Sequence, residues 1–407
     1  FILRNTLLAV PRGQLGFMTP FVWMFLSTYE KLRSVILNEK TITSLVQLEY
    51  SGFDGATVPI CTFTVENRTK PDFQGGYLRL HDFRGAAQQG PRTLEAIADQ
   101  SCDWFYRAST SDFRKLPGSP IAYWLTPESL EAFQLPALKD VGAVRQGLLT
   151  SDNDRFIRGW HEVSHSNIGL GLSRSEANIS DCNWFPLNKG GDFRKWYGNL
   201  DQVVERHNDG QVLHETIINK YPYLKGKSDF VLKRSNPYFE PAVTWTDISS
   251  SYFGARYLPE GLLYEKGGSC AYATDLHALT GLFSSKLALH FLSAISPTMH
   301  FQVGDVGNFP IQAAVMSRAD VRSTVATAIE GAKSDWDAFE TSWDFTRLPL
   351  LSPDHRGETM EESYAALRAH WQSMTDEMQR LEEENNRIFI DAYGLQDELT
   401  PKVPLNE

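Results

Sequence analysis

Gly13-Gln14-Leu15-Gly16-Phe17-Met18-Thr19 begins the stretch that decides the fold of the first part of the chain. This short strand is followed by Pro20 at a helix start and by apolar residues at helical spacing from Phe21 to Leu37. Ile42 to Leu48 and Val58 to Val65 have the pattern of two further strands, with a glycine-bearing loop between them. A helix between the first two strands favours parallel pairing, and a loop between the last two favours an antiparallel hairpin. The sequence therefore predicts the end of an α/β domain with a mixed sheet edge.

The rest of the chain changes character twice. A strand at Tyr77 to His81 and a helix from Thr93 to about Tyr106 precede a proline-rich connector. From about Val141 to Pro310 the pattern predicts short strands and turns, and from Arg318 it predicts helices. Glu361 to Tyr393 is the most regular helical segment, with Gly394 as its expected C-terminal cap. Its apolar residues at helical spacing are Leu367, Trp371, Met374, Met378, Leu381 and Ile388.

Length and composition limit the classes of protein to consider. The 407 residues suffice for two or three domains, and 42% hydrophobic with 22% charged content is typical of globular proteins. No apolar run has the length of a membrane span, and the four cysteines form no C-x-x-C pair. We therefore expect buried thiols in a reducing compartment and a cytoplasmic protein without a membrane partner. Because the sequence opens on Phe1 in an apolar segment, we expect a piece of a longer chain.

Charge is distributed unevenly along the chain. From Asp335 to Glu407 there are 17 acidic and 6 basic residues, which accounts for the whole net charge of −11. Between Lys189 and Arg234 the balance reverses, with 9 basic and 6 acidic residues. The acidic total therefore does not exclude a nucleic-acid partner, since only the field at the contact face matters.

A formal H-E-x-x-H motif occurs at His161-Glu162-Val163-Ser164-His165. On a helix, the two histidines could hold zinc and Glu162 could act as a general base. The residues that follow do not continue a helix, so we favour surface or packing histidines and expect no metal site. Asn236-Pro237-Tyr238 resembles the N-P-P-Y motif of adenine methyltransferases but lacks one proline and a preceding strand, and we interpret it as unrelated.

The segment Lys189-Gly190-Gly191-Asp192-Phe193-Arg194-Lys195-Trp196-Tyr197-Gly198-Asn199 has a composition suited to nucleic acid. Its cations can anchor phosphates, its aromatic rings offer flat faces, and its glycines let the backbone approach a ligand closely. A hairpin with merely solvated basic residues is the alternative.

Preceded by Asn188, this segment resembles the signature of the PglX methyltransferases of bacterial phage defence (BREX) and their type IIG restriction-modification relatives. Gly147 to Phe156 resembles the opening of their target-recognition domain, and Glu382 to Leu395 resembles the helix that closes it. The first strands resemble strands five to seven of a class I S-adenosyl-L-methionine (SAM) methyltransferase, whose last strand is antiparallel.

The resemblance implies a three-part fold that combines α/β and mixed α+β regions. Residues 1–125 are expected to be the C-terminal part of a Rossmann-like methyltransferase domain, 126–335 a mostly β target-recognition domain, and 336–407 a helical segment. The implied activity is site-specific methylation of adenine N6 in double-stranded DNA with SAM, the target base being flipped out of the duplex. A glycine-rich SAM loop and N-P-P-Y are not found in this sequence and are expected upstream, so this piece alone should be inactive. Other proteins of the defence cluster are possible partners.

Within that resemblance, particular residues receive roles. Phe53 is the candidate for stacking on the flipped adenine. Expected DNA contacts are Lys189, Arg194, Lys195, Tyr197, Asn153 and Arg155. Two other functions stay open: a DNA-reading subunit without catalysis, and a zinc metallopeptidase built on His161, Glu162 and His165. The recognised DNA site does not follow from the sequence, because base choice depends on which side chains reach the groove.

Overall fold

The structure is a computed structural model that describes residues 1–53, 58–249, 252–297 and 300–404. Its contacts divide the chain into two compact units. The first is Phe1–Leu135 with Ser293–Pro297, and the second is Pro136–Leu292 with the described part of Thr298–Glu407. Both mix helices and strands, so the chain is a mixed α/β protein with several sheets. Residues 336–404 fall within the second unit, and the three-part division at residues 125 and 335 stays a prediction.

The first unit is built on a five-stranded sheet with the strand order β1-β3-β2-β4-β5. Its elements are α1 (Ile2–Leu8), β1 (Gln14–Pro20), α2 (Glu30–Glu39), β2 (Thr41–Gln47), β3 (Ile60–Glu66), β4 (Gly75–Arg79), α3 (Ala86–Ala98), β5 (Phe105–Ala108), α4 (Thr110–Phe113) and α5 (Pro127–Ala132).

The predicted antiparallel hairpin is present, because β3 runs antiparallel to β2. The predicted pairing of the first two strands is wrong: β3 also pairs antiparallel with β1 and lies between them. Strands β1 and β2 therefore run in the same direction without touching. Strand β4 then pairs parallel with β2, and β5 pairs antiparallel with β4.

The long helix predicted from Phe21 to Leu37 is broken near its start. Two 3-10 turns, Phe21–Met24 and Ser27–Tyr29, precede α2, and Leu26 between them is extended. The buried guanidinium of Arg33 donates to the carbonyl oxygens of Trp23 (2.9 Å), Leu26 (2.7 Å) and Gly118 (2.8 Å for Nη2). These bonds satisfy carbonyl groups that a continuous helix would have paired internally, which explains why the break is tolerated.

The helix predicted from Thr93 to Tyr106 is displaced toward the N-terminus. It runs as α3 from Ala86 to Ala98 with Pro91 inside it, and Phe105 and Tyr106 belong to β5 instead. The buried Gln89 side chain donates to the carbonyl oxygen of Gly85 at 3.2 Å and so supports the first turn ahead of the proline. Propensity alone disfavours a helix around Pro91, and the buried Gln89 opposes this by also accepting from the backbone N–H of Glu49 at 3.1 Å, a tertiary contact.

The second unit contains two four-stranded sheets of short strands, ordered β11-β10-β13-β6 and β12-β8-β9-β7. Its strands are β6 (Ala143–Arg145), β7 (Ile157–Gly159), β8 (Trp184–Asn188), β9 (Gln202–Glu205), β10 (Ala242–Trp245), β11 (Ala255–Leu258), β12 (Leu263–Tyr264) and β13 (Cys270–Tyr272). The intervening helices are α6 (Leu138–Val141), α7 (Asn153–Phe156), α8 (Arg174–Ile179), α9 (His207–Lys220) and α10 (Asp229–Leu232).

Further helices follow these strands. They are α11 (Leu276–Ser284), α12 (Lys286–Ile295), α13 (Val303–Val306), α14 (Ala313–Met316), α15 (Ala319–Asp337) and α16 (Met360–Tyr393). The sequence pattern missed α11 and α12 because α11 is apolar on nearly all sides and buried, which removes the periodic signal. Within the described residues no single helix meets the length and hydropathy of a membrane span, although α11 and α12 together do so as a pair bent by 74°.

Helix α16 forms as the sequence predicts. Thr359 caps its N-terminus, accepting from Glu362 N at 3.2 Å in a capping box, and Gly394 ends it at φ +71°. Asn385 of α16 donates to the carbonyl oxygen of Gly281 in α11 at 2.8 Å. A Cβ atom on Gly281 would lie 2.6 Å from Val325 of α15, so glycine lets three helices meet closely.

Candidate nucleic-acid interface

The six residues predicted to contact DNA lie in two separate places within the second unit. Asn153 and Arg155 are on α7, and Lys189 follows β8. Asn153 and Lys189 line one groove of about 340 Å³ together with Arg158. Arg194, Lys195 and Tyr197 instead face helices α15 and α16. The sequence grouped Lys189 with the last three, and the structure places it beside α7.

We name the first group the α7–β8 patch, formed by Asn153, Arg155, Arg158 and Lys189. Helix α7 is set by Asp152, whose side chain accepts from the backbone N–H of Arg155 at 3.2 Å. This cap fixes the short helix and exposes Asn153 and Arg155 on the surface.

Arginine 158 is a member of the patch that sequence reasoning missed. It lies on β7, directly after α7, and its guanidinium is 6.0 Å from the Trp184 ring. Arg155 has its guanidinium 4.9 Å from the ring of Phe156 and approaches Thr216 Oγ1 at 3.4 Å. Both cations contact neutral groups, so their charge is available to an anion. The two cations of the adjacent elements α7 and β7 could have been noticed from the spacing of Arg155 and Arg158.

The patch also contains carboxylates, which shape its field. Asp154 and Glu162 line the same groove, and Glu162 accepts from Gly159 N at 2.7 Å. Behind Lys189, burial raises the pKa of Glu265 and of Asp201, and the nearby lysine opposes that rise. Lys189 therefore faces partly buried acids on one side and the open groove on the other.

The glycines after Lys189 serve the chain's own packing. Gly190 and Gly191 have φ angles of +99° and +111°, a region that L side chains rarely adopt. A Cβ atom on Gly190 would lie 2.6 Å from the carbonyl oxygen of Gly267, and one on Gly191 would lie 2.9 Å from Asn199 Nδ2. The close approach that the sequence assigned to a ligand is made to neighbouring turns of this protein.

The second group is held by carboxylates of the helices. Lys195 Nζ lies 3.0 Å from Glu382 Oε2, and the other oxygen of Glu382 accepts from Trp196 Nε1 at 2.7 Å. The side chains of Lys195 and Glu382 are 10% and 12% exposed, so this pair is largely removed from solvent. One carboxylate of α16 thus fixes two consecutive residues of the segment.

Arg194 and Tyr197 are placed by α15 and the residues that follow it. The Arg194 guanidinium lies 3.3 Å from Asp335 and 5.0 Å from the Trp336 ring, and both charged groups are partly exposed. Tyr197 is buried under Lys333, whose Nζ is 5.5 Å from the ring centroid. Burial raises the pKa of Tyr197, and Asp337 and Asp344 add to that rise. Direct DNA contact by these residues stays a prediction.

Phe53 lies in the first unit, six residues beyond the end of β2, and is 43% exposed. Residues 54–57, which belong to the predicted stacking loop, lie outside the described residues. On the near side of the loop, the Glu49 carboxylate accepts from Ser51 N at 3.0 Å and Gly85 N at 3.2 Å. The pKa of Glu49 is lowered, chiefly by a hydrogen bond from the Ser51 side chain and to a smaller extent by these two backbone bonds. The ring is therefore accessible beside an ordered turn, and its role in stacking stays a prediction.

The H-E-x-x-H motif does not form the geometry of a zinc peptidase. His161 and His165 lie in two different 3-10 turns, Trp160–Glu162 and His165–Asn167, separated by extended residues. Both histidines are exposed, and the Glu162 carboxylate accepts from its own turn. Across the described ranges, no group of three metal-binding side chains is placed to hold an ion. The peptidase alternative therefore lacks the single helix that its chemistry requires.

Asn236 and Tyr238 have structural roles in this protein. Asn236 Nδ2 donates to the carbonyl oxygen of Gln146 at 2.8 Å, and the buried Tyr238 hydroxyl donates to that of Leu232 at 3.0 Å.

The fold as a whole is similar to that of a restriction-modification enzyme. The Type IIL restriction-modification enzyme MmeI, solved in complex with DNA, matches 97% of this chain and 48% of its own chain with a TM-score of 0.51. The two sequences are 9% identical, so the similarity is one of fold alone.

Sequence comparison gives closer relatives. The chain is 34% identical over 418 residues to the adenine-specific methyltransferase PglX of Lacticaseibacillus casei (strain Zhang), which covers 99% of this chain and 34% of that protein. It is 32% identical over 389 residues to the adenine-specific methyltransferase BrxX of Escherichia coli O9:H4 (strain HS), covering 93% and 30%. The resemblance to PglX-type methyltransferases is confirmed, and the chain spans about a third of the length of these curated relatives. No family model matches the chain.

Proposed function

We propose that this chain supplies DNA target recognition, and an adjoining part of the catalytic domain, in a site-specific DNA adenine-N6 methyltransferase of bacterial phage defence. The observation that carries the proposal is 34% identity to a PglX methyltransferase over 99% of the chain. In this proposal the complete protein transfers a methyl group from SAM to adenine in double-stranded DNA.

The first unit is proposed to be the C-terminal part of a Rossmann-like methyltransferase sheet. The support is its strand arrangement, in which β1 and β2 run in the same direction and β3, the last of the three, runs antiparallel to both. Phe53 is proposed to stack on the flipped adenine, and its exposure beyond the end of β2 supports that role. An aromatic ring offers any base a flat apolar face.

The described residues do not by themselves fit a SAM site. The backbone N–H of Gly85, ahead of α3, is already bonded to the Glu49 carboxylate. A Cβ atom on Gly52, after β2, would lie 2.8 Å from the carbonyl oxygen of Glu49, so that glycine serves a tight turn. We therefore assign SAM binding to other parts of the complete protein and derive no step through it here.

The second unit is proposed to read the DNA through the α7–β8 patch. Its three cations can neutralise backbone phosphates, which supply most of the affinity and position the protein on the duplex. Asn153 can bond a base edge or a sugar-phosphate group from its exposed place on α7. Arg194 is proposed as a further phosphate contact, because its long ion pair with Asp335 is partly exposed. Lys195 and Tyr197 are proposed to hold the segment in place.

The test uses the full-length protein and its Lys189→Ala and Arg155→Ala variants. Each variant should bind all duplexes more weakly and lower the salt dependence of log K by roughly one unit, since one phosphate contact is lost. Binding is measured by competition titration against specific and scrambled duplexes at several salt concentrations. Lys227→Ala is the matched control, because Lys227 is an exposed lysine of the same basic region outside the patch.

Methylation is measured in parallel by mapping N6-methyladenine in the DNA of cells that express each variant. Loss of modification together with the lower salt slope supports the proposal. Unchanged affinity and slope in both variants would contradict the placement of the patch. Binding without any adenine methylation in the wild type would favour the non-catalytic DNA-reading subunit.

A further inference from the structure

A groove of about 1200 Å³ lies between α15 and α16 in the second unit. One end is closed by residues Phe193 to Trp196, and the walls are formed by the two helices. Two turns of an α-helix with its side chains, about 11 Å long and 10 Å wide, fill roughly 850 Å³. The groove therefore has the size of a short helical segment.

The α16 wall carries an apolar stripe with the spacing of a helix interface. Leu367, Trp371, Met374, Met378 and Leu381 are separated alternately by four and three residues, which is the heptad pattern that keeps one seam toward a partner helix. Leu367 and Leu381 are buried at the two ends. Between them Trp371 is 38% exposed, and both methionines are partly exposed at the groove. The middle of the seam is thus open.

The α15 wall is built from small residues that permit close approach. Thr327, Gly331 and Ser334 line the groove at helical spacing. A Cβ atom on Gly331 would meet only the flexible end of Met378, at 3.2 Å. The groove thus has small residues on the α15 wall and long apolar residues on the α16 wall. The side chains of a third helix can interdigitate with them.

The charges around the groove select the occupant. Four carboxylates and two cations line it, and the two cations, Arg194 and Lys195, are already paired with Asp335 and Glu382. Glu330 on α15 lies on one rim, and Glu377 on α16 lies on the other rim, where it is paired with Arg380. A nucleic acid or an anionic membrane would be repelled. A second copy of α16 fits poorly, because its own region has 17 acidic and 6 basic residues.

We propose that the groove between α15 and α16 is a docking site for a cationic amphipathic helix of a partner protein. The apolar face of that helix packs on Trp371, Met374 and Met378, and its flanking lysines or arginines lie beside Glu330 on the α15 rim. The proposal does not rest on DNA reading by the α7–β8 patch, none of whose residues line this groove.

The test is calorimetric titration of the chain with a synthetic helix of about three heptads, carrying Leu at the seam positions and Lys at the flanking ones. A scrambled peptide of equal composition and a peptide with Glu in place of Lys are the controls. We expect one Lys peptide per chain, binding at least about tenfold more tightly than either control and more weakly as salt is raised.

Two variants probe the two walls. Met374→Glu should weaken the Lys peptide by at least about tenfold, whereas Met360→Glu, on the exposed start of the same helix, should leave it unchanged. Glu330→Lys keeps the apolar seam intact and should weaken the Lys peptide while strengthening the Glu peptide. Equal binding of the scrambled peptide, or no response to Met374→Glu and Glu330→Lys, would overturn the proposal. A dimer in sedimentation that Met374→Glu dissociates would also overturn it, by assigning the groove to a second copy.

Discussion

Glu382 shows how a single side chain can organise a segment that the sequence identified for a different reason. It accepts from Lys195 and Trp196 at the same time, and both partners are nearly buried. The sequence pattern marked the cations and aromatic rings of this segment, but it could not show that residues nearly two hundred positions away supply their partners. The residue types predicted charged and aromatic contacts in this segment, but only the tertiary structure shows that Glu382 provides them.

We expect Glu382→Gln to lower the free energy of unfolding by roughly 3 kcal/mol, because it removes the charged carboxylate that the largely buried Lys195 and Trp196 both bond. Adding Lys195→Met should recover part of that loss, since the buried cation is then removed. Urea denaturation of the single and double variants measures both changes. Glu384→Gln is the control: it breaks an exposed pair with Arg387 and should cost less than about 1 kcal/mol. If Glu382→Gln and Glu384→Gln lowered the free energy of unfolding equally, the Lys195–Glu382 pair would contribute no more to stability than an exposed pair.

Phe53 gives a second prediction at this scale. In the full-length protein, Phe53→Ala should reduce adenine methylation while duplex affinity stays nearly constant, because stacking acts after the base leaves the helix. The lost stacking is on the order of 1–3 kcal/mol. Initial methylation rates and duplex titrations provide the two measurements, and Phe73→Ala, another exposed ring of the first unit, serves as control. A stability loss with an unchanged methylation rate would assign the ring to packing instead.

At the scale of elements, amphipathic and capped segments were predictable and fully apolar ones were not. Helix α16 could be read from its spacing, its capping box and Gly394. Helix α11 is buried on nearly every side, so its sequence lacks the alternation of apolar and polar residues that predicts an amphipathic helix. The sequence also failed to predict that β3 lies between β1 and β2. The connections between strands indicate their directions, but they do not show which strands lie side by side in the sheet.

The contact of α11, α15 and α16 gives a prediction with a matched pair of glycines. Gly281→Ala places a Cβ atom 2.6 Å from Val325 and 2.7 Å from Asn385 Oδ1, and this overpacking costs about 1–3 kcal/mol. Gly331→Ala meets only the mobile end of Met378, so the gain in helix propensity of up to about 1 kcal/mol should leave it neutral or stabilising. Thermal unfolding of both variants tests this. If Gly281→Ala and Gly331→Ala destabilised the protein equally, the expected difference in steric crowding between the two sites would be wrong.

For the whole molecule, sequence comparison confirms the resemblance to PglX-type methyltransferases. The structure, however, groups the candidate DNA contacts differently from the sequence prediction. Lys189 and Asn153 were predicted and line one groove with Arg158, and Arg155 lies near Asn153 on α7. The acidic tail was visible in the composition. Its role in neutralising Arg194 and Lys195 was not, because charge counts along a sequence do not show which charges meet.

Glu382 bonds both Lys195 and Trp196. These two contacts affect how the proposed DNA specificity could be exchanged between related proteins. The strands from β6 to β13 could be taken as a self-contained cassette, since both small sheets lie within them. A transplant cut at the end of β13 would separate Lys195 and Trp196 from the carboxylate that both bond. The smallest transferable module therefore extends through α16, and under the proposed DNA-reading function chimeras joined beyond Gly394 should inherit specificity and solubility together.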